Sequence, residues 1–393
     1  LKRVFLLLFV ILIGSLLGSI GCGGTGSTTS TVSTAIVPKR AFLLNQFASA
    51  VHIVDAEKDL ITGLPISISQ PEIIVVLSNK TSLIFSSSGG LSIIDNATQV
   101  AAAPFTGLSS PTESIVVTPD AKFAYAALPA IGKIAVVDLV AKTAPTLIPA
   151  DPATIPGVRR LVMTKSGTTI LAFADNSDSV SFVDTANSNA ITTKAGFDRA
   201  YSAVISSDDA NAYVLNCGKE CGGTQAGITP VALSAKTLGT KVNVKAATVG
   251  IADSTNLYVA GTDVTTNQGQ LTVVTLSSLT PSPTVSVISD GLHTTMGIGA
   301  NSKLYIGSKA CTNAGGKCLS VFDISKSAAT IISGLSSNPA FGDVQAITPI
   351  KNRNVVYIIQ NGVIQVYDTS TDLPQAVPTI LVSGKVVDVK EVD

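Results

Sequence analysis

The chain has 393 residues, 46% of them hydrophobic and only 13% charged, and its 26 basic residues are balanced by 26 acidic ones. That balance excludes the basic footprint that nucleic-acid binding requires. The length supports a large core, as one repeat domain or two ordinary ones.

Lys2 and Arg3 precede an apolar run, Val4–Leu17. The run is too short for an ordinary spanning helix and has the charge and length of an export signal. It is the only stretch apolar enough for a membrane. Gly18-Ser19-Ile20-Gly21-Cys22 follows and resembles the lipobox of bacterial lipoproteins, with Ser19 where Leu is usual. The resemblance implies that residues 1–21 are a lipoprotein signal peptide and that Cys22 carries the lipid anchor. The plainer alternative is a secretory signal with an incidental cysteine. Leu1 in place of Met fits an alternative start codon in a prokaryote. Removing residues 1–21 takes away Lys2 and Arg3 and no acid, so 24 bases face 26 acids, a net charge of −2. Gly23–Val37 is uncharged Gly/Ser/Thr-rich chain without a strand period. Residues 22–38 thus read as a flexible tether with a reach of roughly 20 Å.

From residue 39 to 393 one unit recurs, and its clearest copy is Ser114–Leu139. Ser114–Thr118 is apolar and β-branched, Pro119-Asp120-Ala121 turns the chain, and Phe123–Ala127, Lys133–Asp138 and Pro145–Pro149 supply three more strands. Each copy has an aromatic in its second strand: Phe42, Phe85, Tyr125, Phe173, Tyr213, Tyr258, Tyr305 and Tyr357, at spacings of 40 to 52 residues. Periods of that length with four short strands indicate a β-propeller of four-stranded antiparallel blades, an all-β fold. The last copy reads as Val344–Pro349, Val355–Gln360, Val363–Asp368 and Pro378–Val382. The first copy, from Arg40, lacks an innermost strand, and the alternating segment Lys385–Asp393 is a strand without a blade. Pairing the two closes the ring and removes two open edges. Eight second strands predict an eight-bladed propeller, or a seven-bladed one if the degenerate copy Ile73–Gly107 is an insertion.

Val117-Thr118-Pro119-Asp120-Ala121, Tyr213-Val214-Leu215-Asn216 and Val180-Ser181-Phe182-Val183-Asp184 are similar to the strand motifs of the YVTN family of bacterial β-propeller repeats. The resemblance covers about residues 40–393. It implies the fold and says little about function, because scaffold residues define that family.

Asp55, Asp95, Asp138, Asp184, Asp323 and Asp368 close third strands. Repetition in six copies marks them as turn caps rather than calcium ligands. Asp175-Asn176-Ser177-Asp178-Ser179 lacks the Gly and bidentate Glu of a calcium loop and reads as a polar hairpin. Only two histidines occur: His52, read as partly buried and structural, and His293, placed near the axial mouth. With no Trp, no Cys-x-x-Cys-His and no Gly-x-Ser-x-Gly, neither a cofactor nor a metal is expected. Cys217 and Cys221 share one loop between second and third strands, and Cys311 and Cys318 share another, so two local disulfides are expected. A zinc site joining the two pairs would need loops two blades apart to meet.

Two surfaces invite a functional reading. Aligning the first strands puts Ile73, Glu113, Arg159, Tyr201, Ala247, Thr294 and Asp343 at one level of the axial channel, with Arg160 beside Arg159. This set is either a neighbouring-blade ion pair or an anion-binding mouth. The loops of the fifth, sixth and seventh copies, Cys217–Gly227, Gly261–Gly269 and Ser308–Lys317, are the long ones. They would form a ridge carrying Lys219, Glu220, Asp263, Asn267, Gln268, Lys309, Asn313 and Lys317. The sequence therefore predicts a monomeric, lipid-anchored binding or scaffold module of the cell envelope, with an envelope protein or glycan as partner. The alternative is a lactonase-like envelope hydrolase acting in the channel.

Overall fold

Runs of Val, Ile, Leu and Ala dictate the strands, because such side chains fit a pleated surface buried on both faces. The computed structural model describes residues 39–78, 80–105, 108, 114–312, 317–332, 342–376 and 380–393. They build eight antiparallel sheets of four strands, the fifth sheet having its outer strand split in two. The innermost strands touch in a closed circle. Val386–Glu391 packs on Pro71–Val76, followed by Ile115–Val117, Val158–Met163, Ala200–Ile205, Val249–Ala252, Leu292–Gly299 and Val344–Pro349, which returns to Val386–Glu391. The protein is an eight-bladed β-propeller. The doubtful second copy is a full blade, Pro71–Val76, Thr81–Ser86, Leu91–Asp95 and Val100–Ala101.

Burial follows position in the blade. In blade four the inner strand Val158–Met163 is buried at two positions and half-exposed to the channel at the rest. Thr169–Ala174 and Ser179–Asp184 are almost wholly buried between neighbouring blades, and Ala190–Ala195 forms the exposed rim. Strands are called A to D from axis to rim. The B–C loops and the D–A crossings lie on one face, the top; the A–B and C–D turns lie on the bottom.

The closing strand pairs as expected, with Leu43 opposite Val389 and Ala41 opposite Glu391. One outer strand differs. Strand D of blade eight is Leu373–Pro374, paired with Tyr367 and Asp368, and Ile380–Val382 is not strand. The C–D turn is too tight to reach residue 378, since the N–H of Asp372 already bonds the carbonyl of Asp368.

All six predicted caps act as caps. Asp55, Asp95, Asp138 and Asp323 accept from the backbone N–H groups two and three residues on, and Asp184 and Asp368 from the one two residues on. Four residues beyond each, the backbone is left-handed, with φ between 49 and 60° at Asp59, Gln99, Lys142, Ser188, Ser327 and Asp372.

Candidate functional site

The top end of the A strands is built by a repeated irregularity. Among the described residues, a single residue is skipped in the A–B pairing of six blades: Val387, Glu72, Arg159, Tyr201, Thr294 and Gln345 in blades one, two, four, five, seven and eight. A bulge of this kind re-aims a side chain. All six skipped residues line the axial mouth. The residue before each bulge, Val386, Pro71, Val158, Ala200, His293 or Val344, is buried. His293 therefore sits in a core slot and not in the mouth. It is 1% exposed, its Nε2 lies 2.8 Å from the Ser289 carbonyl oxygen, and burial pulls its pKa down to about 4. The alignment was one residue off in blade two and two off in blade eight, where Glu72 and Gln345 hold the bulge; Ile73 and Asp343 still line the mouth. Ala247 is wholly buried. Glu113 lies outside the described residues.

The mouth consists of two cavities of 510 and 610 Å³ that share Arg160, Tyr201, Thr294 and Lys309. The smaller one is strongly basic. Arg159 and Arg160 both pair with Asp175, at 2.6 and 2.8 Å. Arg160 also donates from Nε to the Tyr201 carbonyl oxygen, and its guanidinium lies 3.7 Å from the centroid of the Tyr201 ring. Arg199 and Lys309 complete the lining, and Arg199 donates to the Asn176 carbonyl. Arg159 is thus held by Asp175 of its own blade. The Asp343 carboxylate accepts from the backbone N–H of Ala310 at 2.7 Å. Asp175 and Arg199 went unnoticed as mouth residues; the signal was their place in the B–C hairpin and the D–A crossing, both on the top face. Asp388 lies in the larger cavity, where burial raises its pKa against the pull of Lys390.

The ridge is real in part. The loop of blade five contains a short 3₁₀ turn, Gly218–Cys221, and is held by Asp198 from the preceding crossing. Asp198 accepts from the backbone N–H groups of Thr224 and Gln225, both at 2.8 Å, from the Thr224 hydroxyl and from Lys241. Burial opposes ionisation there, yet these donors hold its pKa down at about 2. Glu220 points back across Gly261 and accepts from the Thr262 N–H at 2.9 Å, joining blade five to blade six. Burial pushes its carboxyl up to about 7. Thr262 in turn donates to the Gly291 carbonyl, and Asp290 holds Thr312 in the loop of blade seven.

Other expectations need correction. In blade six Gly261–Asp263 and Gln268–Gly269 are paired strand, so the projection is an elongated hairpin whose turn is only residues 264–267. Asp263 caps that turn through the Thr265 N–H, and Asn267 supplies its left-handed residue. Lys219 and Gln268 are exposed. Lys309 belongs to the axial mouth, and Lys317 bridges to Gly342. Asn313 and the proposed lipidation site Cys22 lie outside the described residues.

Both cysteine pairs stand at disulfide distance, with Cα separations of 5.6 Å for Cys217–Cys221 and 5.5 Å for Cys311–Cys318. His52 is half-buried beside Asn45. Among the described residues no cluster of three or more His, Cys, Asp or Glu side chains could hold a metal, and no helix is long and apolar enough to cross a membrane. A bottom cavity of 660 Å³ lies among the A–B turns of blades five and six. Its carboxylates are committed locally, Asp208 to Ser206 and Ala210 and Asp253 to Thr255, Asn256 and Tyr258.

No family model and no curated protein matches the sequence. Solved structures do match in shape. The dihydro-heme d1 dehydrogenase NirN in complex with DHE aligns with a TM-score of 0.66 at 14% identity, over 90% of this chain and 74% of that one. The β-propeller domain of Myceliophteria thermophila Cps50 (Swd1) aligns with a TM-score of 0.53 at 10% identity, over 76% and 96%. A functionally unknown protein from Desulfotomaculum acetoxidans aligns with a TM-score of 0.53 at 17% identity, over 76% and 97%. At such identities the shared property is the β-propeller fold.

Proposed function

We propose that this propeller is a lipid-anchored binding or scaffold module of the bacterial cell envelope, with YVTN-type repeats and the top face as its recognition surface. The observation that carries this reading is the bracing of that face. Asp198 and Asp290 fasten the loops of blades five and seven to the crossings before them, Glu220 ties the blade-five loop to the blade-six hairpin, and the loops of blades five and seven hold cysteine pairs. Loops stiffened in advance lose less entropy on binding. The neighbours of like shape carry different descriptions, so the fold alone does not choose a role.

Two substitutions test the reading. Cys22→Ser should release the protein from the membrane and abolish acyl labelling, since stable attachment takes two or more acyl chains. Replacing the blade-five and blade-seven loops with Asn-Gly turns should leave the propeller folded and remove the partner cross-linked to the wild type in intact envelopes. Unchanged membrane partition defeats the anchor, and an unchanged cross-linked partner defeats the ridge.

A further inference from the structure

We propose that Cys217–Cys221 is a thiol–disulfide exchange site, at which an external thiolate arriving through the axial mouth attacks Cys221 and loosens the tie between blades five and six. Cys311–Cys318 is its structural counterpart and stays closed. The inference concerns the chemistry of the loop and does not depend on what the top face binds.

The two pairs occupy the same loop of two blades and differ in access. Cys217 follows strand B of blade five and is wholly buried, whereas Cys221 is half-buried and lines the 510 Å³ lobe of the mouth. Cys311 and Cys318 are 8% and 1% exposed and pack in one core cluster with Tyr305, Leu319 and Val344. Exchange requires a thiolate to reach a disulfide sulfur, so exposed bridges are the labile ones and buried cysteines are inert. Of the four cysteines in the two loops, Cys221 is the one that is not buried.

The blade-five bridge can open without unfolding its loop. Before it, the Cys217 N–H donates to the Arg199 carbonyl at 2.9 Å and the Gly218 N–H to the Asp198 carbonyl at 3.1 Å. After it, the Asp198 carboxylate accepts from the N–H groups of Thr224 and Gln225. None of these bonds involves sulfur. Between them lies the 3₁₀ turn Gly218–Cys221, closed by two backbone bonds, Gly222 to Lys219 and Gly223 to Gly218, and by the disulfide. Glu220 stands on this turn, one residue before Cys221, and its carboxyl accepts from the Thr262 N–H of blade six. Cutting the bridge therefore leaves the loop anchored on both sides and loosens the segment that carries the Glu220 tie. In blade seven the bridge lacks that freedom. The Cys318 carbonyl accepts from the Ser308 N–H and hydroxyl, at 2.9 and 3.2 Å, and the chain runs directly into the strand Leu319–Asp323.

The attacking sulfur bonds to Cys221 Sγ as the Cys217–Cys221 bond breaks, and Cys217 departs as a thiolate that takes up a proton. With a dithiol as reductant, its second thiolate attacks its own sulfur in the mixed disulfide and releases the Cys221 thiolate, which is protonated in turn. The dithiol ends as a cyclic disulfide, having given two electrons and two protons to the pair.

The oxidised full chain is tested with dithiothreitol and glutathione as probes. After timed exposure to limiting dithiothreitol, free thiols are blocked with N-ethylmaleimide and mapped by peptide mass spectrometry; cleavage after Lys219 separates Cys217 from Cys221. Cys217–Cys221 should open at least tenfold faster than Cys311–Cys318. Glutathione should be trapped on Cys221 and not on Cys217. In the selectively reduced protein, amide hydrogen exchange should rise at least fivefold at Thr262 and stay unchanged at Thr224 and Gln225. Cys217→Ala leaves Cys221 as a single thiol, which should react with N-ethylmaleimide at least tenfold faster than the buried thiol left in Cys221→Ala. Equal opening rates for the two bridges, or glutathione on Cys217, overturn the exchange site. Unchanged exchange at Thr262 overturns the link to blade six. The wild-type mapping decides the site even where a variant fails to fold.

Discussion

Glu220 shows how a residue can be visible in the sequence and still be misread. It was expected as a polar group on the ridge, and it is there, but its carboxyl turns inward to hold Thr262 of the next blade. Burial raises its pKa from 4.5 to about 7, and the Thr262 N–H offsets only part of that. The folded protein therefore binds more protons than the unfolded chain between pH 4.5 and 7, and stability must fall as pH rises through that window. The loss is on the order of 3 kcal/mol. Glu220→Gln keeps an acceptor for Thr262 and removes the titration. Melting temperatures from pH 4.5 to 8 should decline in the wild type relative to this variant, whose advantage grows with pH. His52, whose burial lowers its pKa, acts in the opposite sense but equally in both proteins, so the difference isolates Glu220. Parallel curves would refute the assignment. The capping aspartates were legible because a cap works through its own turn. Glu220 and His293 were not, because their partners lie on other strands.

Strand identity was readable wherever a continuous apolar run marks a B or C strand. What could not be read is a one-residue insertion. The bulge before Arg160 looks like ordinary alternation in sequence, yet it decides that Arg159 faces the mouth while His293, one step earlier in its own strand, is core. A slip of one residue exchanges the two faces of a strand. Loop length misled in blade six for a related reason: Gly261 and Gly269 are closely packed paired residues, Gly269 lying where a Cβ would strike the Ser289 carbonyl, and not a flexible turn. The cysteine pairs were legible from spacing. Their loops span 4 and 7 residues, for which the chain-entropy account gives only about 2 kcal/mol each. Asp198, with four donors, holds the blade-five loop as well. Reducing both pairs should thus lower the melting temperature by no more than about 8 °C, at roughly 2 °C per kcal/mol for a domain of this size. Thermal scans with and without reductant measure it. A fall of 20 °C would mean that the cysteine pairs, not the carboxylate clamps, hold this face.

At the scale of the whole ring, the repeat made the architecture legible, and the orphan strands at the two ends made its closure legible. The sequence did not show that closure has a second component. Asp59, the left-handed residue of the first C–D turn, is 3% exposed and accepts from three side chains. The Tyr357 hydroxyl donates at 2.6 Å, Arg353 donates through both terminal nitrogens at 2.5 and 3.0 Å, and Gln375 donates at 3.3 Å. All three belong to blade eight or its outer turn. The same position in blade eight, Asp372, receives Lys303 and Tyr305 of blade seven, and Asn189 of blade four receives Tyr125 of blade three. Tyrosine on strand B is thus more than a large apolar residue where its hydroxyl reaches the next blade's turn, a contact that Phe42, Phe85 and Phe173 cannot make. At the seam this clasp on the bottom rim and the strand Val386–Glu391 at the axis fasten blade eight to blade one at two radii. The two devices should fail differently. Asp59→Ala strands a half-buried guanidinium and a buried phenol, which costs about 2–3 kcal/mol, but it leaves the sheet complete. A single, earlier urea transition is expected. Deleting residues 385–393 removes the A strand of blade one and exposes the edge of Arg40–Asn45, and since each blade is stabilised chiefly by its neighbours, cooperativity should be lost or the protein should aggregate. Urea curves followed by far-ultraviolet dichroism and by tyrosine fluorescence separate the cases, because coincident transitions mark one cooperative unit. A deletion protein with the wild-type midpoint and coincident curves would show that the C-terminal strand does not close the ring.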